Sequence, residues 1–246
     1  MLRLSGEALT DDKEKIFTKS AFDRLCEQVV PVYQRFPGLM LVVMAGGGEI
    51  IRGSELISEF KIPNDDEEMQ MYCHNIGMLS TMISGFGLVI ALKRKLEAMN
   101  IDLRVVSAFE VRRLCEAYAP LRVRRHLSKG RLILLVGGSG DGFKSSDEAA
   151  LTKAAETGCK IILKGTKEDG VFAKNPKDFP GEKFTPIPTM SVREFQERGI
   201  SGIFDAPGVA KVAEKPYIPI RIFNFFTPGT LLDVLSGKEI GTLIHP

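Results

Sequence analysis

The chain has no tryptophan, and several features that would narrow its chemistry early are absent or scarce. Its four cysteines, Cys26, Cys73, Cys115 and Cys159, stand far apart with no C-x-x-C spacing. That argues against a zinc site or a disulfide framework and leaves buried, reduced thiols of a cytosolic protein. Net charge is only +2 over 246 residues, so no global field draws the chain to nucleic acid. The cluster Arg122-Val123-Arg124-Arg125-His126 reads as a solvated helix face. No apolar run reaches the roughly 20 residues that a membrane span needs. The longest covers residues 78–92, is interrupted by Ser80, Thr81, Ser84, Gly85 and Gly87, and reads as a buried helix at a subunit interface. No charged-then-apolar leader opens the sequence. No histidine–carboxylate pair marks a general base: His74 reads as a packed histidine, His126 and His245 as surface residues.

What is present is a set of glycine-centred signals in fixed order. They are Leu4-Ser5-Gly6-Glu7-Ala8-Leu9, Gly46-Gly47-Gly48-Glu49-Ile50-Ile51-Arg52-Gly53, Gly138-Ser139-Gly140-Asp141 with Ser145-Ser146-Asp147, and Lys164-Gly165-Thr166-Lys167-Glu168-Asp169-Gly170-Val171-Phe172. Most follow an apolar run or open a helical pattern, where backbone N–H groups and a helix dipole can hold phosphate oxygens. One such loop is weak evidence. Several in one chain point to a protein that grips more than one phosphate, as phosphoryl transfer requires.

Strand and helix patterns alternate along the chain. Residues 2–4, 39–44, 103–107, 132–136, 160–163, 218–223 and 241–244 read as strands. Residues 20–36 carry Phe22, Leu25, Val29 and Tyr33 at helical spacing despite Pro31, and a further helix is expected from Ile50. The run Asn64-Asp65-Asp66-Glu67-Glu68 is a helix start, with a capping residue and an acidic first turn. The helix it opens extends to about Asn100, as one element or as two broken near residues 85–87. Residues 111–129 are polar and partly helical. Helices are also expected over 147–157, behind Asp205-Ala206-Pro207 and over 228–235, and an exposed loop over 173–188. The fold class is α/β: a three-layer αβα sandwich with a mainly parallel sheet, residues 1–246 forming a single domain.

The order of these motifs, with Gly77-Met78-Leu79-Ser80-Thr81, Asn175-Pro176, Arg221-Ile222-Phe223-Asn224, Pro228-Gly229 and Gly241-Thr242-Leu243-Ile244, resembles the bacterial UMP kinases of the amino-acid kinase superfamily. The resemblance covers nearly the whole chain. It implies phosphorylation of UMP to UDP by ATP with magnesium, in the cytoplasm, by a homohexamer under GTP and UTP control, with neither nucleic acid nor membrane as partner.

The same resemblance assigns residues. Arg3, Leu4, Ser5, Gly6, Gly48, Arg52, Thr166, Phe172 and Asn175 would meet ATP. Gly47, His74, Ser139, Gly140, Asp141, Gly142, Phe143, Lys144, Ser145 and Ser146 would meet UMP. Arg3, Arg52, Asp147, Lys167 and Asp205 would act at the reaction centre, Asp147 through magnesium or by orienting Arg3 or Lys167. Taken alone, Asp147 reads as a helix N-cap behind Ser145 and Ser146, and Phe172 as core.

The chain also departs from the family pattern. Arg3 stands where the family has lysine, and the guanidinium is larger, planar and forked. His74 replaces an aspartate that hydrogen-bonds UMP, exchanging an acceptor for a group that can donate. Glu49, Asp141-Gly142, Lys144, Ser145-Ser146 and Asn175 are further changes, replacing asparagine, Asn-Pro, an aromatic, a threonine pair and aspartate. Two alternatives therefore stay open: a superfamily kinase with another small acceptor, and a nucleotide-binding regulatory or storage protein without catalysis.

Overall fold

A computed structural model of the chain describes residues 1–12, 14–142, 144–173, 184–200, 204, 206–214 and 217–246. The described strands form one nine-stranded sheet in the order β4-β3-β5-β2-β1-β6-β8-β9-β7. At its centre lie β1 (Leu2–Leu4), β2 (Val42–Ala45), β5 (Leu132–Val136) and β6 (Ile162–Thr166), all mutually parallel where they pair. Outward lie β3 (Leu103–Ser107) and the two-residue β4 (Glu116–Ala117) on one side. On the other lie β8 (Ile220–Asn224), β9 (Thr242–His245) and β7 (Thr189–Ser191). Among the described strands, only the β8–β9 pairing is antiparallel. The expected mainly parallel α/β sheet is therefore present.

Helices cover both faces, as a parallel sheet with two apolar faces requires. One layer holds α1 (Lys19–Arg35), α3 (Glu67–Glu97) and α8 (Thr230–Leu235) against Leu2, Leu4, Val43 and Leu134. The other holds α4 (Pro120–Leu127), α5 (Ser146–Thr157), α6 (Val192–Glu197) and α7 (Ala206–Ala210), over Met1, Met44, Ile133 and Ile162. The period-two alternation of strand side chains decides this division. Leu2 and Leu4 of β1 enter the first core, so Arg3 between them points to the second face.

Expectation and structure part at element ends. The helix expected from Ile50 is α2 (Gly53–Glu59), because residues 47–51 close a turn through the Gly47 carbonyl, which accepts from Ile50 N and Ile51 N at 2.9 and 3.1 Å. The strands expected at 39–44 and 160–163 begin later and run further, to Ala45 and Thr166. The long helical pattern is one unbroken helix, α3, capped by Asp66, whose side chain accepts from Met69 N at 3.1 Å. Its glycines serve approach rather than a break: a Cβ on Gly85 would lie 2.2 Å from Val136 Cγ1 of β5. Leu88, Leu92 and Leu96, one turn apart, are fully buried beneath it. Each such burial is worth about 1.5–3 kcal/mol. By length and composition alone α3 is apolar enough to cross a membrane, but 44% of its most apolar window is packed inside this fold.

β1 is the hinge of the topology. The chain leaves it for β2 on one side and later returns through α5 to β6 on the other. In open parallel sheets the crevice at such a reversal, beyond the carboxyl ends of the strands, is where ligands bind. The turns after β1, β2, β5 and β6 are the glycine-centred segments of the sequence.

Candidate active site

Those turns line a cleft of about 840 Å³. The floor is set by strand register. Arg3 of β1 pairs with Lys164 of β6, so both basic side chains rise on the same face at the sheet's carboxyl edge. α5 begins directly above them. Ser145 is its N-cap, accepting from Glu148 N at 2.9 Å, and Asp147 sits inside the first turn. The N-cap reading of Asp147 is thereby corrected: the serine two residues earlier satisfies the helix end, and the aspartate turns to the cations.

Asp147 Oδ1 accepts from Lys164 Nζ at 2.6 Å and lies 3.4 Å from Arg3 Nε. Arg3 Nη2 donates to Ser146 Oγ at 2.6 Å, and Nη1 donates to the Leu4 carbonyl. Lys164 Nζ also lies 5.1 Å from the centroid of the Phe204 ring. The side chains of Arg3, Lys164 and Asp147 are 5%, 8% and 10% exposed. Among the described residues, two cations thus share one carboxylate in a nearly closed place. Two cations converging at the end of a cleft suit an anionic group that can accept charge-assisted hydrogen bonds. Among the described residues, Arg3 Nε and Ser5 Oγ are also buried without a hydrogen-bond partner, both on the cleft wall. The chemistry of this end is that of a phosphate site.

The glycine turn after β2 forms the facing wall. Gly46 N donates to the Leu4 carbonyl at 2.8 Å, tying the first two turns together. A Cβ on Gly47 would lie 1.9 Å from Ser80 Oγ and 2.6 Å from Thr81 N, so backbone packs directly on α3 there. Arg52 reaches the cleft from the α2 N-cap, half exposed, 3.7 Å from Glu55 Oε1.

Two halves open from this centre. One is lined by Ser139, Gly142, Lys144, Ser145 and Ser146, with His74 of α3 opposite. The loop abuts that helix: a Cβ on Gly142 would lie 2.9 Å from His74 Cβ. Thr81 Oγ1, accepting from Gly137 N at 2.9 Å, anchors the start of the loop to the same helix. The other half is lined by Thr166, Lys167 and Glu168. Thr166 Oγ1 closes that turn, accepting from Glu168 N at 3.1 Å.

Of the residues named from sequence, Arg3, Ser5, Gly6, Gly47, Gly48, Arg52, His74, Ser139, Gly142, Lys144, Ser145, Ser146, Asp147, Thr166 and Lys167 line this one cleft. Others do not line it. The Leu4 side chain is in the α1–α3 core, Asp141 lies 3.7 Å from Lys144 Nζ, and Gly140 packs on Ala108. Phe172 stacks edge-on to Phe184 at 6.2 Å. Phe143, Asn175 and Asp205 lie outside the described residues. Lys164 was quoted from sequence within the fourth glycine signal but given no role at the site. Its signal was a lysine closing the apolar run Ile161-Ile162-Leu163, where a buried strand rarely carries charge.

Comparison with known proteins agrees with this geometry. The model of the amino acid kinase family matches residues 2–224. A uridylate kinase of Xanthomonas euvesicatoria pv. vesicatoria is 32% identical over 249 residues, covering 100% of this chain and 95% of that protein. A uridylate kinase of Ehrlichia ruminantium is 33% identical over 245 residues, covering 100% and 94%. Among solved structures, a UMP kinase from Bacillus anthracis superposes with a TM-score of 0.87 at 26% identity, covering 99% of this chain and 94% of that one.

Proposed function

The chain belongs to the amino acid kinase family, and from that membership we propose that it transfers the γ-phosphoryl group of ATP to UMP, giving ADP and UDP for pyrimidine nucleotide synthesis. Residues 1–246 act as one kinase domain. The observation that carries the reading is the buried Arg3–Asp147–Lys164 cluster, whose two cations stand where the two halves of the cleft meet.

In this reading the Thr166–Lys167 side takes the donor, and the 138–146 loop with His74 takes UMP. Both phosphate chains then point to Arg3 and Lys164. The acceptor oxygen belongs to a phosphate monoester that is largely dianionic at neutral pH, so no general base is needed. What remains for the protein is in-line positioning and neutralising charge on the migrating group. Lys164 and Arg3 carry that charge, Asp147 holds both cations in register, and the Gly47–Gly48 backbone admits the phosphates closely. Asp205 and Asn175 keep the roles that the family resemblance gives them.

Magnesium belongs to this proposal as part of the donor. Among the described residues no three His, Cys, Asp or Glu side chains gather into a metal site. Asp147 faces two cations rather than open space. In this proposal the ion enters as the ATP complex.

Assembly belongs to the same proposal: a cytoplasmic homohexamer responsive to GTP and UTP. Tyr72, Ile76, Leu79, Ile83 and Ile90 are 43–70% exposed on one stripe of α3, which supports a contact between copies. Transfer of label from γ-labelled ATP to UMP tests the reaction. Labelled UDP is expected; label released only as inorganic phosphate, from folded protein, would overturn it.

A further inference from the structure

Away from the reacting end, four elements meet around one aromatic ring. Phe226 lies in the turn between β8 and α8. The Arg24 guanidinium carbon of α1 sits 4.4 Å from its ring centroid, and Lys167 Nζ, from the turn after β6, sits 5.5 Å from the same centroid. Arg24 Nη2 is 2.8 Å from Asp11 Oδ1 in the segment before α1. Among the described residues, Arg24 Nε and Nη2 are buried and make no well-aligned hydrogen bond; charge and the ring hold the guanidinium. Asp11 also accepts from Ser20 Oγ at 2.8 Å. Arg24 first, then Ser20 and Lys167, hold its carboxyl below the usual range, against the opposing effect of burial.

The neighbouring contacts make this a brace. One helical turn beyond Arg24, buried Gln28 donates to the Phe225 and Thr227 carbonyls at 2.7 and 2.6 Å. Its Oε1 accepts from Leu231 N at 3.1 Å. Asn224 accepts from Phe226 N at 2.9 Å and donates to Asp169 Oδ1 at 2.9 Å. Phe225 N donates to the Thr166 carbonyl at 2.9 Å. A continuous set of contacts therefore runs from α1, through the β8–α8 turn, to the 166–169 turn that lines the cleft.

We propose that Arg24 is a positioning residue for the phosphate donor: through Phe226 and Asp11 it fixes where Lys167 stands at the cleft. It touches no substrate itself. The proposal rests on the donor half assigned above and adds a residue from outside the cleft. Lys167 has a long, flexible stem, and one loosely held ammonium places charge poorly. A ring shared with Arg24 and the charge of Asp11 restrict it.

The test is binding of the magnesium complex of adenylyl imidodiphosphate, a non-hydrolysable ATP analogue, measured by calorimetry on the full chain. Absence of UMP turnover would then count against the proposed reaction without touching this result. Arg24→Met keeps the stem and removes the charge. It is expected to weaken the analogue about three- to tenfold, the size of a partly desolvated cation–π contact, with UMP affinity and Tm near the parent's. Lys167→Met should weaken it similarly, and the double variant should lose less than the product of the two, as coupled residues do. Arg24→Lys should restore part of the loss. Phe226→Leu removes the ring at similar bulk and should give the same loss should Arg24→Met fold poorly. Unchanged analogue affinity in both Arg24→Met and Phe226→Leu, or losses that multiply with Lys167→Met, would overturn the assignment.

Discussion

Lys164 Nζ donates to Asp147 Oδ1 at 2.6 Å, joining the end of β6 to the first turn of α5 with both side chains about nine-tenths buried. Arg3 approaches the same oxygen from β1 at 3.4 Å. Lys164→Met should therefore lower kcat by about 10²–10³-fold, the range for losing one preorganised charge donor, with smaller changes in either KM. A variant within threefold of the parent would remove Lys164 from the reaction centre. Asp147→Asn removes the carboxylate that Arg3 and Lys164 share. It should destabilise the fold by roughly 3–5 kcal/mol, read as a lower Tm that ATP or UMP partly restores.

Arg3 reaches the acceptor loop because a guanidinium is long and forked, with Nη2 on Ser146 Oγ at 2.6 Å. A lysine in its place keeps the charge and gives up that bond. Arg3→Lys is expected to raise the KM for UMP about tenfold, as loss of a charge-assisted hydrogen bond does, and to raise that for ATP less. Equal effects on both substrates would mean that the Ser146 contact does not organise the acceptor loop.

Gly47 is closed to any side chain. A Cβ there would lie 1.9 Å from Ser80 Oγ and 2.6–2.7 Å from backbone atoms of residues 80 and 81. Gly47→Ala should cut kcat/KM by at least about 10²-fold, since displaced phosphate-binding backbone misplaces the reacting groups. Adding Ser80→Ala should not rescue it, because the backbone clash remains. Rescue by that second change would show the contact to be a side-chain matter only.

Lys153 of α5 is 5% exposed, its Nζ 3.8 Å from the Tyr118 ring centroid. Burial pushes its pKa below the ordinary lysine value of 10.5, with Glu156 acting in the opposite sense. Between the folded and unfolded values the unfolded chain holds more protons, so this group's contribution to stability rises with pH up to about 10.5. Lys153→Met should gain most over the parent near pH 7, and the gap in Tm should narrow toward pH 10. A gap that widens with pH would reverse the assigned direction.

Much of the fold was legible because alternation and apolar runs are local. The strands over 103–107 and 132–136 match β3 and β5 residue for residue. The ends that slipped were decided by contacts distant in sequence. The register with β1 pairs Arg3 with Lys164, and the register with β8 pairs Thr166 with Asn224 and extends β6 to Thr166; Val136 receives Gly85 of an unbroken α3. At the site, glycine turns announced the backbone, and most named residues converge on one cleft. The role of Lys164 escaped because its meaning lies in its partner 17 residues back, across a helix–strand crossover. Arg24 carried no signal at all: its role depends on a ring about 200 positions away.

The central claim is transfer to UMP at the Arg3–Asp147–Lys164 cluster, and a coupled ADP-release assay tests it most directly. Magnesium–ATP would be offered with UMP, CMP, dTMP, AMP or no acceptor, to the parent and to Lys164→Met. The account predicts ADP release that depends on UMP and falls at least a hundredfold in the variant, the loss of one preorganised donor being about 10²–10³. Turnover with no nucleotide, from folded protein that still binds ATP, would contradict it and favour a nucleotide-binding protein without catalysis.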